Sequence, residues 1–236
     1  MLVLRCAALI VVFCALIHAQ PEGARTLDIR VADAVYDAVS ARIVAAVQPN
    51  SPQFAQTVVI IDPADLSIQG AIGLPIAVRK IKLSDDGQFL YAWGGGVPST
   101  LFRIHLPSMQ IEAEYSPTFA DDPDSYMHDL VPIPGRPRNV AISFTDRWGN
   151  WSGTAMFAED RRLAKTVTAS TATLLAGPAP DVLYGYNSLT TSFTVSRLQV
   201  TDDGLERLGE SLGGMAWGFH RKLAVSRGLL YGANGT

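Results

Sequence analysis

The stretch Leu83-Ser-Asp-Asp-Gly-Gln-Phe-Leu-Tyr-Ala-Trp93 decides the fold. Before it runs Val78-Arg-Lys-Ile-Lys-Leu83, and Ser84-Asp85-Asp86-Gly87 supplies the side-chain caps and the positive-φ position that a tight hairpin requires, so the segment reads as strand, turn, strand. Its second half recurs. Gln88-Phe-Leu-Tyr-Ala-Trp-Gly94 aligns on a shared tyrosine with Asp181-Val-Leu-Tyr-Gly-Tyr-Asn187 and Gly228-Leu-Leu-Tyr-Gly-Ala-Asn234, and Ala41 to Val47 and Arg138 to Phe144 are weaker copies. The five starts are spaced by 47, 50, 43 and 47 residues. That period exceeds leucine-rich and ankyrin repeats and matches the ~40–50 residues of a propeller blade built from four short strands.

The remainder of each period agrees. Thr57-Val-Val-Ile-Ile-Asp62, a turn over Pro63 to Ser67, and Ile68-Gln-Gly-Ala-Ile72 complete one blade. One period later come Leu101 to Leu106, Pro107-Ser108 and Met109 to Tyr115, where Met109, Ile111, Ala113 and Tyr115 alternate with Gln110, Glu112 and Glu114, the mark of a half-buried strand. In the fourth period Phe193 to Val200, the turn Thr201-Asp-Asp-Gly204, and Leu205 to Leu208 repeat the plan. Two stretches compete. Leu27, Val31, Val35, Val39, Ile43 and Val47 recur every four positions as on an amphipathic helix, but Tyr36 to Val44 falls in register with Leu83 to Leu90 and predicts strands. Glu159 to Ala172 is interrupted by Thr166, Val167, Thr168 and Thr171, whose β-branching also favours strand. The expected fold is all-β, a propeller of four-stranded antiparallel blades.

The hairpin Leu83 to Tyr91, with Val58-Val-Ile-Ile-Asp62-Pro63 and Ile68 to Ile72 at the expected places before it, resembles the YVTN-type β-propeller repeat of secreted bacterial and archaeal proteins. Ala92-Trp93 stands where that repeat has Val-Thr, and the third period, with Pro132, Pro134 and Pro137, departs furthest. The resemblance implies a propeller, commonly of seven blades, often outside the cytoplasm. It leaves activity open, because such propellers include lactonases, dehydrogenase subunits and binding scaffolds. Repeats are expected near 28–72, 76–115, 127–168, 171–210 and 215–236, so about four and a half blades precede Thr236. A ring normally closes with four to eight, and the expectation is a truncated ring: a fragment of a longer reading frame, or an open ring that pairs with something else.

The amino terminus predicts export. Met1 to Ala19 has one charge, Arg5, then the apolar run Cys6 to Ile17, then His18-Ala19. Twelve apolar residues fall short of the ~20 of a bilayer span and fit the core of a secretory signal cut after Ala19. An uncleaved anchor or a buried first strand is the competing reading. Removal of residues 1–19 from 236 leaves a propeller domain, 20–236, that is cysteine-free because Cys6 and Cys14 are the only two in the chain. Eighteen bases then face twenty-two acids, which predicts no attraction to nucleic acid or to acidic membranes after the signal is removed. The expected location is secreted or periplasmic.

No catalytic signature stands out, since the sequence holds neither a Gly-x-Ser-x-Gly elbow nor a His-Glu-x-x-His run. No cofactor and no metal are expected. His105 reads as a blade-edge residue, and Gly94-Gly95-Gly96, followed by neither Lys nor a helix, reads as a loop. Binding candidates are the acidic loop with Asp121, Asp122 and Asp124 leading to His128, and the pair Trp148 and Trp151, which could stack on a sugar or anchor an interface, or pack over the adjacent blade. The favoured expectation is a non-enzymatic binding or scaffolding module that meets a protein or glycan through its inter-blade loops. The alternative is an enzyme of lactonase or dehydrogenase-subunit type, with Asp33, Lys80, Asp129 and His220 placed by strand position at a central channel. A fragment without a function of its own is a third reading.

Overall fold

A computed structural model describes residues 25–168, 171–211, 223–227 and 229–232 of the 236. The expected signal of residues 1–19 and the channel candidate His220 lie outside the described residues. All regular elements among the described residues are strands, as the period predicts. The first blade holds β1 (Val31–Asp37), β2 (Arg42–Val47), β3 (Thr57–Ile61) and β4 (Ile68–Gly73). The second holds β5 (Val78–Leu83), β6 (Phe89–Gly94), β7 (Thr100–His105) and β8 (Gln110–Tyr115). β9 (Tyr126–Ile133), β10 (Arg136–Thr145), β11 (Trp151–Ala158) and β12 (Arg161–Val167) form the third. β13 (Thr173–Ala176), β14 (Val182–Tyr186), β15 (Val195–Thr201) and β16 (Gly204–Ser211) form the fourth, and the hairpin β17 (Leu223–Ser226) and β18 (Leu229–Gly232) follows.

Each blade is an antiparallel meander with its strands in chain order. The period-four pattern over Leu27 to Val47 resolves into the β1–β2 hairpin because Tyr36 pairs with Ile43 across a turn in which the Asp37 carboxylate accepts from the Val39 amide at 2.9 Å and from the Ser40 hydroxyl. The three tyrosines aligned in the sequence occupy one register position: Tyr91 opposite Lys82, Tyr184 opposite Leu175, Tyr231 opposite Ala224. The first strands lie side by side, β1 against β5, β5 against β9, β9 against β13 and β13 against β17, as around the axis of a propeller.

The core lies between blades. β6 is buried along its whole length while the outer β4 and β8 are largely exposed, which explains why the middle strands read as continuous apolar runs and the outer ones alternate. Val44, Val58, Leu90, Phe102 and Ile104 fill the gap between blades one and two; Tyr91, Trp93, Leu101, Leu130, Ile142 and Phe144 fill that between two and three. Blades three and four meet through Met156, Leu174, Leu183 and Leu198, and also through one parallel bridge, Lys165 to Gly204, which joins them into an eight-stranded sheet. Glycine is required at that bridge: Gly204 has φ 131°, and a Cβ there would lie 2.2 Å from the Lys165 carbonyl oxygen.

A polar latch crosses the interface of blades two and three. Arg103 on β7 is only 4% exposed, and its guanidinium Nη2 lies 2.5 Å from Glu159 Oε2 while Nε lies 3.5 Å from Glu112 Oε2. The Tyr91 hydroxyl donates to the Pro137 carbonyl at 2.8 Å. Burial pushes the Tyr91 phenol well above the ordinary tyrosine range, so it stays a donor.

Candidate functional site

The first strand of each of the first three blades carries an irregularity at the same place. β1 inserts Ala32 between the pairs Val31–Val47 and Asp33–Ala46; β5 inserts Arg79 between Val78–Gly94 and Lys80–Trp93; β9 inserts His128 between Met127–Phe144 and Asp129–Ser143. An extra residue breaks the alternation and turns two neighbouring side chains to one side of the sheet. Ala32-Asp33, Arg79-Lys80 and His128-Asp129 accordingly all line one cleft of about 480 Å³, together with Lys82, Thr173, Ser188 and Leu223.

Asp33, Lys80 and Asp129, picked from the sequence by strand position, are thus brought together, and each reaches across to the following blade. Asp33 Oδ2 accepts from the Ile81 amide at 3.0 Å, and Oδ1 accepts from its neighbour Ala34 at 3.0 Å. Asp129 Oδ2 accepts from the Leu174 amide at 3.0 Å, the equivalent amide two blades on. At the same position blade two has a cation, and the polarity of the bridge reverses: Lys80 Nζ donates to the His128 carbonyl at 3.3 Å and lies 3.9 Å from Asp129 Oδ1. Lys80 also sits 5.9 Å from the centroid of Trp93. In blade three Ser143 extends the network, donating to the Ala172 carbonyl at 2.6 Å and accepting from the Asp129 amide at 3.0 Å. The carboxylates are therefore used as bridges between blades.

The loop candidates separate. Because strands alternate in direction, the hairpin joining second and third strands and the crossover to the next blade emerge on one face; the channel mouth, at the starts of the first strands, opens there too. Residues 146–150 and the acidic crossover 116–125 both belong to this face. In the crossover Asp122 Oδ1 accepts from the Asp124 amide at 2.9 Å, closing its own turn, and Asp121 lies 3.3 Å from Arg162 Nη2. His128 is in β9 at the channel, apart from these acids. Among the described residues no three His, Cys, Asp or Glu side chains gather as metal ligands would. His105 ends β7, its Nδ1 2.8 Å from the Ser108 hydroxyl and its ring against Phe89.

Trp148 and Trp151 differ. Trp151 is half-buried, its indole N–H donating to the Thr168 carbonyl at 3.1 Å; Trp148 is 74% exposed, with the Arg147 guanidinium 4.6 Å from its ring centroid. The tip is held by Asp146, whose Oδ1 accepts from the Trp148 and Asn150 amides at 2.8 Å each and whose Oδ2 accepts from the Asn150 side chain at 2.9 Å. Those hydrogen bonds, the Asn150 side chain first, keep the Asp146 carboxyl below the ordinary aspartate value. Sequence reasoning passed over Arg79, because strict alternation puts it on the opposite side from Lys80, and Arg103, whose isolated charge in Leu101-Phe-Arg-Ile104 could have marked it as a residue needing buried partners.

No family model matches the chain, and no curated protein matches it. Solved structures do. A functionally unknown protein from Desulfotomaculum acetoxidans aligns with TM-score 0.59 and 13% identity over 86% of this chain and 62% of that one. U3-55K aligns with TM-score 0.54 and 12% identity over 78% and 53%, and the WD40 repeats of RRP9 with TM-score 0.54 and 12% identity over 78% and 52%. The chain thus spans about half to three-fifths of the length of these structures. Identity this low carries the fold alone: the protein is a β-propeller.

Proposed function

We propose that the protein is an exported binding module of the YVTN-type propeller class, with residues 1–19 as its secretory signal, residues 20–236 as its propeller domain, and a protein partner received on the face that carries the inter-blade loops. One observation carries the reading: Trp148 stands 74% exposed at the tip of a hairpin fixed by Asp146, on the same face as the channel mouth. A large exposed aromatic on a backbone-fixed loop has part of its ordering cost already met and suits an interface anchor. The propeller likeness of WD40 repeats supports a scaffold role.

The test places a photo-crosslinking amino acid at position 148 and, separately, at position 85 on the opposite face, in the organism of origin. Discrete protein adducts from position 148 and none from position 85 are expected. Equal labelling from both overturns the reading, and labelling of glycan alone assigns the face to sugars. Export is checked by mass spectrometry of the protein made with its own leader, with a first residue of Gln20 expected. A central-channel enzyme is the second reading, favoured by the shared cleft of Asp33, Lys80 and Asp129 and weakened by their inter-blade hydrogen bonds. Hydrolysis of a lactone panel abolished by Lys80→Met would support it.

A further inference from the structure

We infer that the mouth of the central channel is a binding site for a small anion bearing carboxylate or phosphate groups. The charge comes mainly from one strand. The extra residue in β5 turns Arg79 to the side of Lys80, and Lys82, two residues further along, lines the same cleft. Three cations therefore enter the cleft from a run of four residues.

Of the three, Lys80 pairs with Asp129 at 3.9 Å, and Arg79 and Lys82 are the surplus. Both Asp33 oxygens accept backbone amides, and Asp129 is divided between the Leu174 amide and Lys80. Among the described residues neither Arg79 nor Lys82 has a carboxylate within ion-pair distance, although the cationic groups of Arg138, Arg162 and Lys165 each do. In a chain with formal net charge −3, surplus cations confined to a concave site focus the local field for an incoming anion. A volume near 480 Å³ suits a metabolite-sized ligand. Arginine is the cation whose planar fork matches carboxylate and phosphate oxygens.

The sequence gives an independent sign. The pairs Leu223–Gly232 and Ala224–Tyr231 stand in the register of Ile81–Ala92 and Lys82–Tyr91, so Leu223 occupies the position of Ile81, and Leu223 lines the cleft. The two residues before Ile81 are Arg79-Lys80, and the two before Leu223 are Arg221-Lys222, which lie outside the described residues. The Arg-Lys dipeptide of β5 thus occurs a second time in the sequence, immediately before β17.

The experiment is isothermal titration of the full chain with inorganic phosphate and, separately, with citrate, at low ionic strength. Saturable binding of at least one anion is expected. The double variant Arg79→Gln, Lys82→Gln should weaken it by about tenfold or more, the scale of losing charge-assisted hydrogen bonds, and added salt should weaken it further. The control Arg147→Gln, at the exposed loop, should leave it unchanged. Failure of both anions to saturate overturns the inference, as does an affinity that is unchanged in the double variant or lowered equally by Arg147→Gln. Arg79 and Arg147 are exposed and Lys82 is half-buried, and a thermal unfolding midpoint within a few degrees of the parent establishes that each variant is folded. Trp148→Ala, which tests the loop face, is expected to keep anion binding, so the two readings fail separately.

Discussion

Asp33 and Asp129 do at the channel what main-chain pairing does inside a blade: each satisfies an amide that the next first strand turns away from its own partner. Asp129 is 4% exposed and the Leu174 amide it serves is buried, so Asp129→Ala strands a donor away from water. A cost of about 1–3 kcal/mol is expected in urea unfolding. Asp129→Asn keeps an acceptor and should lose less than about 1 kcal/mol; equal losses would show that the negative charge matters more than the hydrogen bond. Asp146 supplies a pH prediction. Its folded pKa lies below the ordinary value of 3.8, so its hold on the loop is complete above that value and is lost as pH falls through the folded pKa. Trp148 emission should therefore stay constant from neutral pH to about 4 and change only below, whereas Asp146→Ala should shift it at neutral pH.

At the scale of elements, a few specific polar and backbone contacts supplement the apolar packing that joins the blades. Gly204 is one. With φ at 131° and the Lys165 oxygen in the path of any Cβ, Gly204→Ala should cost about 1–3 kcal/mol and lower the urea midpoint without changing its slope. Tyr91→Phe removes the hydroxyl that reaches Pro137 across the interface of blades two and three; a loss of about 1 kcal/mol is expected, measured the same way. These contacts also mark where reading the sequence ends. The tyrosine repeat predicted the strand plan because Tyr91, Tyr184 and Tyr231 are fixed by the pairing inside each blade, a local property that leaves a period in the chain. Arg103 on β7, Glu112 on β8 and Glu159 in the β11–β12 turn come from two blades, and nothing local ties them together. The extra residues Ala32, Arg79 and His128 are silent for a different cause. A bulge adds one residue without altering composition, so alternation read from Val78 to Leu83 assigns Arg79 to the wrong side.

For the whole molecule, stability should be close to a sum over blades and their interfaces, since the main contacts among the described strands lie within a blade or between consecutive blades. Ile61→Val in the first blade and Leu198→Ala in the fourth, both buried, share no interface. Their effects on unfolding free energy should add within about 0.5 kcal/mol. An interaction term well beyond that would mean that strain passes through the intervening blades.

The repeated insertion in the first strands has an evolutionary meaning. It turns each blade's contribution to the axis into a two-letter word, Ala-Asp, Arg-Lys or His-Asp, of which only Ala32 also packs against the apolar core between blades. Such words can be rewritten one blade at a time while the scaffold around them holds still. Grafting Arg-Lys in place of Ala32-Asp33, with the Ile81 amide left to find water, would ask how far the specificity of a propeller can be spelled out at its axis without touching its core.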